Sequence, residues 1–167
     1  AAIITMAPAE SFEISAGEIM GNIYDRLVRF DVSDPSKLYG DIAKAWTVSP
    51  DGKTFSFELK PGLKFASGNV LNAEDVVYSL QRAVLLDKTP AFILTQFGFS
   101  KANVKDRIKA TGELTLALYE FLKAGGGVKC LSLVLDQAPF ARRSPIPATS
   151  IRTAPIGWPV STTTHST

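Results

Sequence analysis

The sequence predicts an α/β fold, a small mixed or antiparallel sheet with helices packed on it. Three observations predict it. Phe55, Phe57 and Leu59 alternate with Thr54, Ser56, Glu58 and Lys60, the period-two pattern of a half-buried strand. Asn72 and Asp75 stand three apart at the head of a run with Val76, Val77, Leu80, Ala83 and Val84, a capped start followed by a buried helical face. Ile108 and Ala110, then Leu114, Leu116 and Leu118, alternate on either side of Thr111-Gly112, the mark of a hairpin.

Taken in order, Ile3-Ile4-Thr5-Met6 reads as a short strand. Ser15-Ala16-Gly17-Glu18 fits a capping box, in which Ser15 and Glu18 would satisfy free backbone N–H groups reciprocally. Ile19, Ile23 and Leu27, with Met20, Tyr24 and Val28 on the next row, predict a helix from about Ala16 to Arg29 with Asp25, Arg26 and Arg29 on its wetter side. Leu27 to Asp31 would run out of it as an extended segment. Asp34-Pro35-Ser36 is a turn, and Leu38 to Lys44 connects it to the stretch that anchors the chain, Ala43 to Gly68. There Ala45 to Val48 and Thr54 to Lys60 form a hairpin across Ser49-Pro50-Asp51-Gly52-Lys53, where Pro50 presets φ and Gly52 permits positive φ. A second turn follows at Pro61-Gly62. The capped helix ends near Asp87, where Thr89-Pro90 breaks it. Ala91 to Phe99 is apolar without a clean period. Leu122 to Asp136 reads as helical in part, interrupted by Gly125-Gly126-Gly127. From Pro139 to the end five of the ten prolines and many Ser and Thr occur without an acid, the composition of a poorly ordered tail.

A chain of 167 residues supports one domain with a real core. It is 46% hydrophobic and 20% charged with a net charge of +2, and mixed signs of charge point to no nucleic-acid partner. One cysteine excludes an intramolecular disulfide and a multi-cysteine metal site. No run is long and apolar enough for a membrane-spanning segment. Ala1-Ala2-Ile3-Ile4 reads as a mature or trimmed terminus, which points to export.

The chemistry-bearing residues make no catalytic set. The single histidine, His165, lies in a Ser/Thr-rich end that gives a general base no fixed geometry. Cys130, between Val128 and Leu131, reads as a buried structural thiol. Gly125 to Lys129 lacks the spacing of a phosphate loop. Glu74 and Asp75 sit at a helix start, where capping and dipole roles explain them. Asp31, Asp34 and Asp41 lack EF-hand spacing. Trp46, on a strand beside Phe55 and Phe57, reads as core. No catalytic residue, metal site or cofactor is therefore expected. Glu10-Ser11-Phe12-Glu13 differs, because it lies between the first strand and the first helix, where loops of α/β proteins line ligand clefts.

Asn22 to Asp31, Ala43 to Gly68 and Leu71 to Leu80 together resemble the extracytoplasmic solute-binding proteins of ABC importers. The likeness is to family 5, which takes up peptides, nickel complexes and related solutes. The family signature joins an alanine, a turn acid, an alternating strand, a basic residue and a Lys-Phe-x-x-Gly close. Here these are Ala43, Asp51, Thr54 to Leu59, Lys60 and Lys64-Phe65-Ala66-Ser67-Gly68. The resemblance continues more loosely to about Leu118. Gly157-Trp158 and Thr164-His165-Ser166 are only faintly similar to a later family segment.

The resemblance implies part of the first lobe of a type II-like, class C binding-protein fold. Residues 1–138 would form a partial N-terminal lobe with a hairpin-rich subdomain at about 43–118, and 139–167 a Pro/Ser/Thr-rich segment of uncertain register. It further implies a non-enzymatic, monomeric substrate-binding component that captures a peptide or other small solute and docks on ABC permease subunits. Its place would be the periplasm, or a lipid anchor outside a Gram-positive cell. By position, Glu10, Ser11, Phe12 and Glu13 match the family's cleft-facing segment. The alternative is a truncated, non-transporting structural remnant.

Overall fold

The computed structural model describes residues 3, 5–31, 33–34 and 36–120. Its centre is an antiparallel four-stranded sheet in the order β3-β4-β6-β5. β3 is Ala43–Val48, β4 Phe55–Leu59, β5 Ile108–Gly112 and β6 Thr115–Leu118. A separate ribbon pairs β1, Val28–Phe30, with β2, Leu38–Gly40, also antiparallel. Of the two sheet types the sequence allows, the strands take the antiparallel one.

β4 is the strand whose alternation is plainest in the sequence, and it lies inside the sheet. Phe55, Phe57 and Leu59 are buried while Ser56 and Glu58 are exposed. Phe57 faces Trp46 on one side and Leu116 on the other, and Phe55 faces Val48 and Leu118. Each phenylalanine thus sits in a row of apolar cross-strand neighbours, the arrangement that stabilises a sheet. Trp46 packs against this core, as expected. The turn joining β3 to β4 also forms as read. Gly52 has φ +73°, its N–H donates to the Ser49 carbonyl at 2.8 Å, and the Asp51 carboxylate accepts from the Ser49 hydroxyl and the Lys53 amide.

The helix α2, Ala73–Leu86, covers the sheet along β5 and β6. Asn72 and Asp75 form the full capping box: the Asp75 amide donates to Asn72 Oδ1 at 3.1 Å and the Asn72 amide to Asp75 Oδ2 at 2.9 Å. Val76, Val77, Leu80, Ala83 and Val84 are all buried. The helix ends on Asp87 in the left-handed region, φ 53°. Two further bonds set its height on the sheet: Gln81 Nε2 donates to the Ile108 carbonyl at 2.8 Å and the Ala73 amide to the Glu113 carbonyl at 2.9 Å. The aperiodic stretch after it is a 3-10 turn at Thr89–Ala91, a short α3 at Phe92–Thr95 and a short α4 at Val104–Arg107. It buries Ile93, Leu94, Phe97, Phe99 and Val104. Helical pieces of three or four residues are too short to show a 3.6-residue period.

Four expectations are corrected. The first helix, α1, is Ile14–Ile23, not Ala16 to Arg29, and the residue at its N-cap is Glu13. The Ser15–Glu18 capping box does not form, because Ser15 already lies inside the helix. The helix stops early because its continuation is claimed elsewhere. The carbonyl of Arg26 accepts from the Ile42 amide, and that of Leu27 from the Asp41 and Ala43 amides. Leu27 and Val28 are buried from this extended segment, whereas Ile19 is exposed and only Ala16 of α1 is buried. The second hairpin turns at Glu113 and Leu114, not at Thr111-Gly112. A register shift between Ala110 and Gly112 lengthens β5, so Gly112 pairs with Thr115. Ile3, Thr5 and Met6 stand outside any strand, and Ile4 lies outside the described residues. So do the helical reading at Leu122 to Asp136 and the tail from Pro139 onward.

The corner between β2 and β3 is the tightest point of the chain. A Cβ on Gly40 would lie 1.9 Å from the Ala43 carbonyl oxygen, so no other residue fits. Asp41 closes the corner, its Oδ2 accepting from the Arg26 amide at 2.9 Å and from Arg29 Nε at 2.7 Å. Burial pulls the Arg29 guanidinium down, but the Asp41 hydrogen bond and the charges of Asp41 and Asp25 outweigh it and hold Arg29 above its ordinary value.

Gly40→Ala is expected to destabilise the fold by about 1–3 kcal/mol or more, because backbone must shift to make room. Asn72→Ala is expected to cost about 1 kcal/mol through the lost cap. Urea unfolding followed by tryptophan fluorescence checks both; a Gly40→Ala variant as stable as the parent would disprove the close approach.

The Asp51 carboxylate is held below its ordinary value by the Ser49 hydroxyl and then the Lys53 amide. A depressed folded-state value means stability that is present above the unfolded value of 3.8 and lost as the pH falls through the folded one. Asp51→Asn is therefore expected to flatten the loss of stability below pH 3.8 while leaving the neutral region nearly level. Acid unfolding curves of the two proteins measure this.

Candidate functional site

The segment Glu10 to Glu13 follows a tight turn. The Glu10 and Ser11 amides both donate to the Ala7 carbonyl at 2.9 Å, and the Ala7 amide donates to Thr5 Oγ1 at 3.1 Å. From there the chain extends into the N-cap of α1, where Glu13 has φ −85° and ψ 142°. Extended backbone alternates its side chains, and the exposure follows: Glu10 and Phe12 are exposed while Ser11 between them is buried.

The four residues therefore differ in what they can do. Glu10 Oε1 lies 3.7 Å from an Arg82 guanidinium nitrogen of α2. Phe12, 48% exposed, meets Phe92 of α3 edge to face, with ring centroids 5.2 Å apart and planes at 78°. The Ser11 hydroxyl is buried and has no hydrogen-bond partner among the described residues. Glu13 places its carbonyl on the Gly17 amide at 2.8 Å, opening α1. A carboxylate beside an exposed aromatic face suits the non-covalent holding of a solute that has both charged and apolar parts. Arg82 and Phe92 escaped the sequence reading. Arg82 looks like any cation on the polar face of a helix, and nothing in the sequence pairs it with a residue so far upstream.

The remaining candidates resolve into structural parts. Asp75 is half of the capping box. Asp31 and Asp34 accept from the hydroxyls and amides of Ser33 and Ser36, which hold both carboxyls below their ordinary range. Among the described residues no three His, Cys, Asp or Glu side chains come together as metal ligands, and no helix is long and apolar enough to cross a membrane. Cys130, His165 and Gly125 to Gly127 lie outside the described residues.

The signature stretch also has a physical role. Ala43 is buried where β3 shifts register. The Lys60 amide donates to the Ile42 carbonyl at 2.9 Å, and its Nζ to the Gly40 carbonyl at 3.1 Å. Gly68 closes the next turn at φ +89°, its amide on the Phe65 carbonyl. The signature builds a scaffold corner with a hairpin on it.

The family model for bacterial extracellular solute-binding proteins, family 5 Middle, matches residues 37–147, more than half of the sequence. The chain belongs to this family. Among curated family 5 relatives, the dipeptide-binding protein of Escherichia coli K12 is 41% identical over 66 residues, covering 36% of this chain and 12% of that protein. The structure of Haemophilus influenzae OppA in complex with RPPGFSPFR superposes with a TM-score of 0.69 at 20% identity, covering 81% of this chain and 28% of that one. MoaA of A. tumefaciens R10, in complex with mannopinic acid, does so with a TM-score of 0.67 at 21% identity, covering 84% and 27%. The solved structures establish the binding-protein fold expected from the resemblance. This chain spans well under a third of each of these three proteins.

Ser11→Ala removes a buried hydroxyl that makes no hydrogen bond among the described residues. Such a group costs about 1–3 kcal/mol when desolvated without a partner, so the variant is expected to gain up to about that much stability. Chemical denaturation reads the sign, and a loss of 1 kcal/mol or more would mean that the hydroxyl has a partner in solution.

Proposed function

We propose that this family 5 chain provides solute-binding surface to the substrate-binding component of an ABC importer, with peptides as the solute class. The observation that carries the reading is the match to family 5 across residues 37–147. Support for peptides comes from the relative named a dipeptide-binding protein, at 41% identity over 66 residues, and from the fold shared with a peptide-bound OppA. On this reading residues 1–138 form a partial N-terminal lobe with a hairpin subdomain at 43–118. The Glu10 to Glu13 loop faces the solute, and the hairpin serves as scaffold.

The mechanism is non-covalent. Two lobes close on the solute about a hinge, and the closed form docks on the permease on the extracytoplasmic side. Enzymatic chemistry has no place in it. The chain would act as a monomer toward its permease partners. Surface from one lobe encloses only part of a solute, so affinity is expected to be weak on its own.

Calorimetry and thermal shift with a mixture of di- and tripeptides test the proposal. A ligand at 100 times its Kd stabilises by about 2.7 kcal/mol, so even a millimolar binder shifts the melting temperature when peptide is supplied in large excess. Absence of both heat and shift would rule out peptides. A response to an opine-like organic acid instead would move the solute class toward that of MoaA. Silence with both, together with a native mass near 18.0 kDa, would favour the non-transporting remnant.

A further inference from the structure

We propose that Arg82 and Phe92 are positioning residues for solute capture, which hold the Glu10 to Glu13 loop in its orientation from the side of α2 and α3. The inference rests on the solute-facing reading of that loop. Glu10 and Phe12 are both exposed, and each meets a side chain from the α2–α3 side. Arg82 reaches Glu10 at 3.7 Å, and Phe92 reaches Phe12 with centroids 5.2 Å apart. Both partners belong to one unit, the end of α2 and the start of α3, joined by the 3-10 turn that contains Pro90. That unit is fixed in the core by Leu80, Val84, Ile93 and Leu94, all buried.

The backbone bonds of the loop among the described residues are local ones. The Glu10 and Ser11 amides bond only locally, to Ala7, and the Ser11 hydroxyl adds no bond among the described residues. Ala9 and Ser11 are buried, and the Glu10 and Phe12 side-chain contacts add ties from α2 and α3 on the exposed side of the loop. The two contacts differ in kind. The ion pair is exposed, so water and salt weaken it, while the edge-to-face ring pair persists in salt. Phe92 is 47% exposed and the Arg82 side chain 38%, so replacing either leaves the core intact.

Hydrogen exchange on the intact chain tests the proposal, comparing the parent with Phe92→Ala, Arg82→Glu and the charge-swapped pair Arg82→Glu with Glu10→Arg. Loss of the ring contact is expected to speed exchange of the Glu10 and Ser11 amides on the order of 2- to 10-fold. Arg82→Glu should act in the same direction but more weakly, the swap should return exchange toward the parent rate, and amides of β4 and α2 should stay unchanged. Unaltered exchange at Glu10 and Ser11 in both single variants would overturn the proposal, as would acceleration spread evenly over β4 and α2. Calorimetry with the di- and tripeptide mixture separates the two layers. Weaker binding by Phe92→Ala than by the parent supports positioning, and equal binding despite a loosened loop refutes it. If the parent binds no peptide, the solute reading fails, and the exchange data still decide whether the two side chains hold the loop.

Discussion

The register of β4 is the constraint on which the rest of the structure depends. It is paired on both edges, with β3 and with β6. A one-residue slip would turn Phe55, Phe57 and Leu59 outward and bring Ser56 and Glu58 into the core. Burying Glu58 without a partner would be costly, so the slipped state is strongly disfavoured. With β4 placed, Leu116 and Leu118 of β6 must face the same way as the phenylalanines. Ile108 then lies opposite Leu118 on the far strand. The apolar face so assembled is what α2 covers with its buried face, Val76, Val77, Leu80, Ala83 and Val84 among it.

The second determinant is the Gly40–Asp41 corner, which decides where α1 ends. Helix propensity and the apolar stripe favour continuing through Leu27. The corner competes for the same backbone, taking the Arg26 amide and the Arg26 and Leu27 carbonyls. Lys60, at the end of β4, reaches back to the Gly40 and Ile42 carbonyls. The sheet and the ribbon are thereby joined through one glycine, one aspartate and one lysine. A long-range bonding network of this kind outweighs a helical preference of a few tenths of a kcal/mol per residue.

What the sequence made legible follows from the range of each signal. The β3–β4 hairpin, its Asp51-Gly52 turn and the Asn72–Asp75 box are encoded within a few residues, and the structure has all three. The stop of the first helix depends on Asp41, far along the chain from Ile23, so local pattern extends the helix too far. Alternation locates the second hairpin but places its turn too early. The extra residue at Ala110–Gly112 is a bulge, and alternation alone does not reveal one. The family likeness was legible for the same reason as the hairpin, since its signature residues are the local scaffold. The candidate loop was placed by its position between elements, whereas its partners Arg82 and Phe92 depend on tertiary folding and left no local trace.

Scaffold and loop also differ in how firmly they are held, and on the proposed function that difference would bear on binding. Opening β4 means breaking two ladders and exposing Phe55, Phe57 and Leu59, which approaches the cost of global unfolding. The Glu10 to Glu13 segment is held by local backbone bonds, an exposed ion pair and a ring contact among its interactions, none of which is a sheet ladder. Segments that must adapt to a solute are drawn from this low-stability end of a structure. A loop outside the sheet ladders can re-aim Glu10 and Phe12 without disturbing the sheet. The same looseness has a thermodynamic consequence, since any solute that orders the loop must offset the lost freedom. On the proposed reading of the loop as solute-facing, contacts that already hold it near the binding geometry would reduce that cost, so the support from α2 and α3 would bear on affinity even though neither Arg82 nor Phe92 need touch the solute.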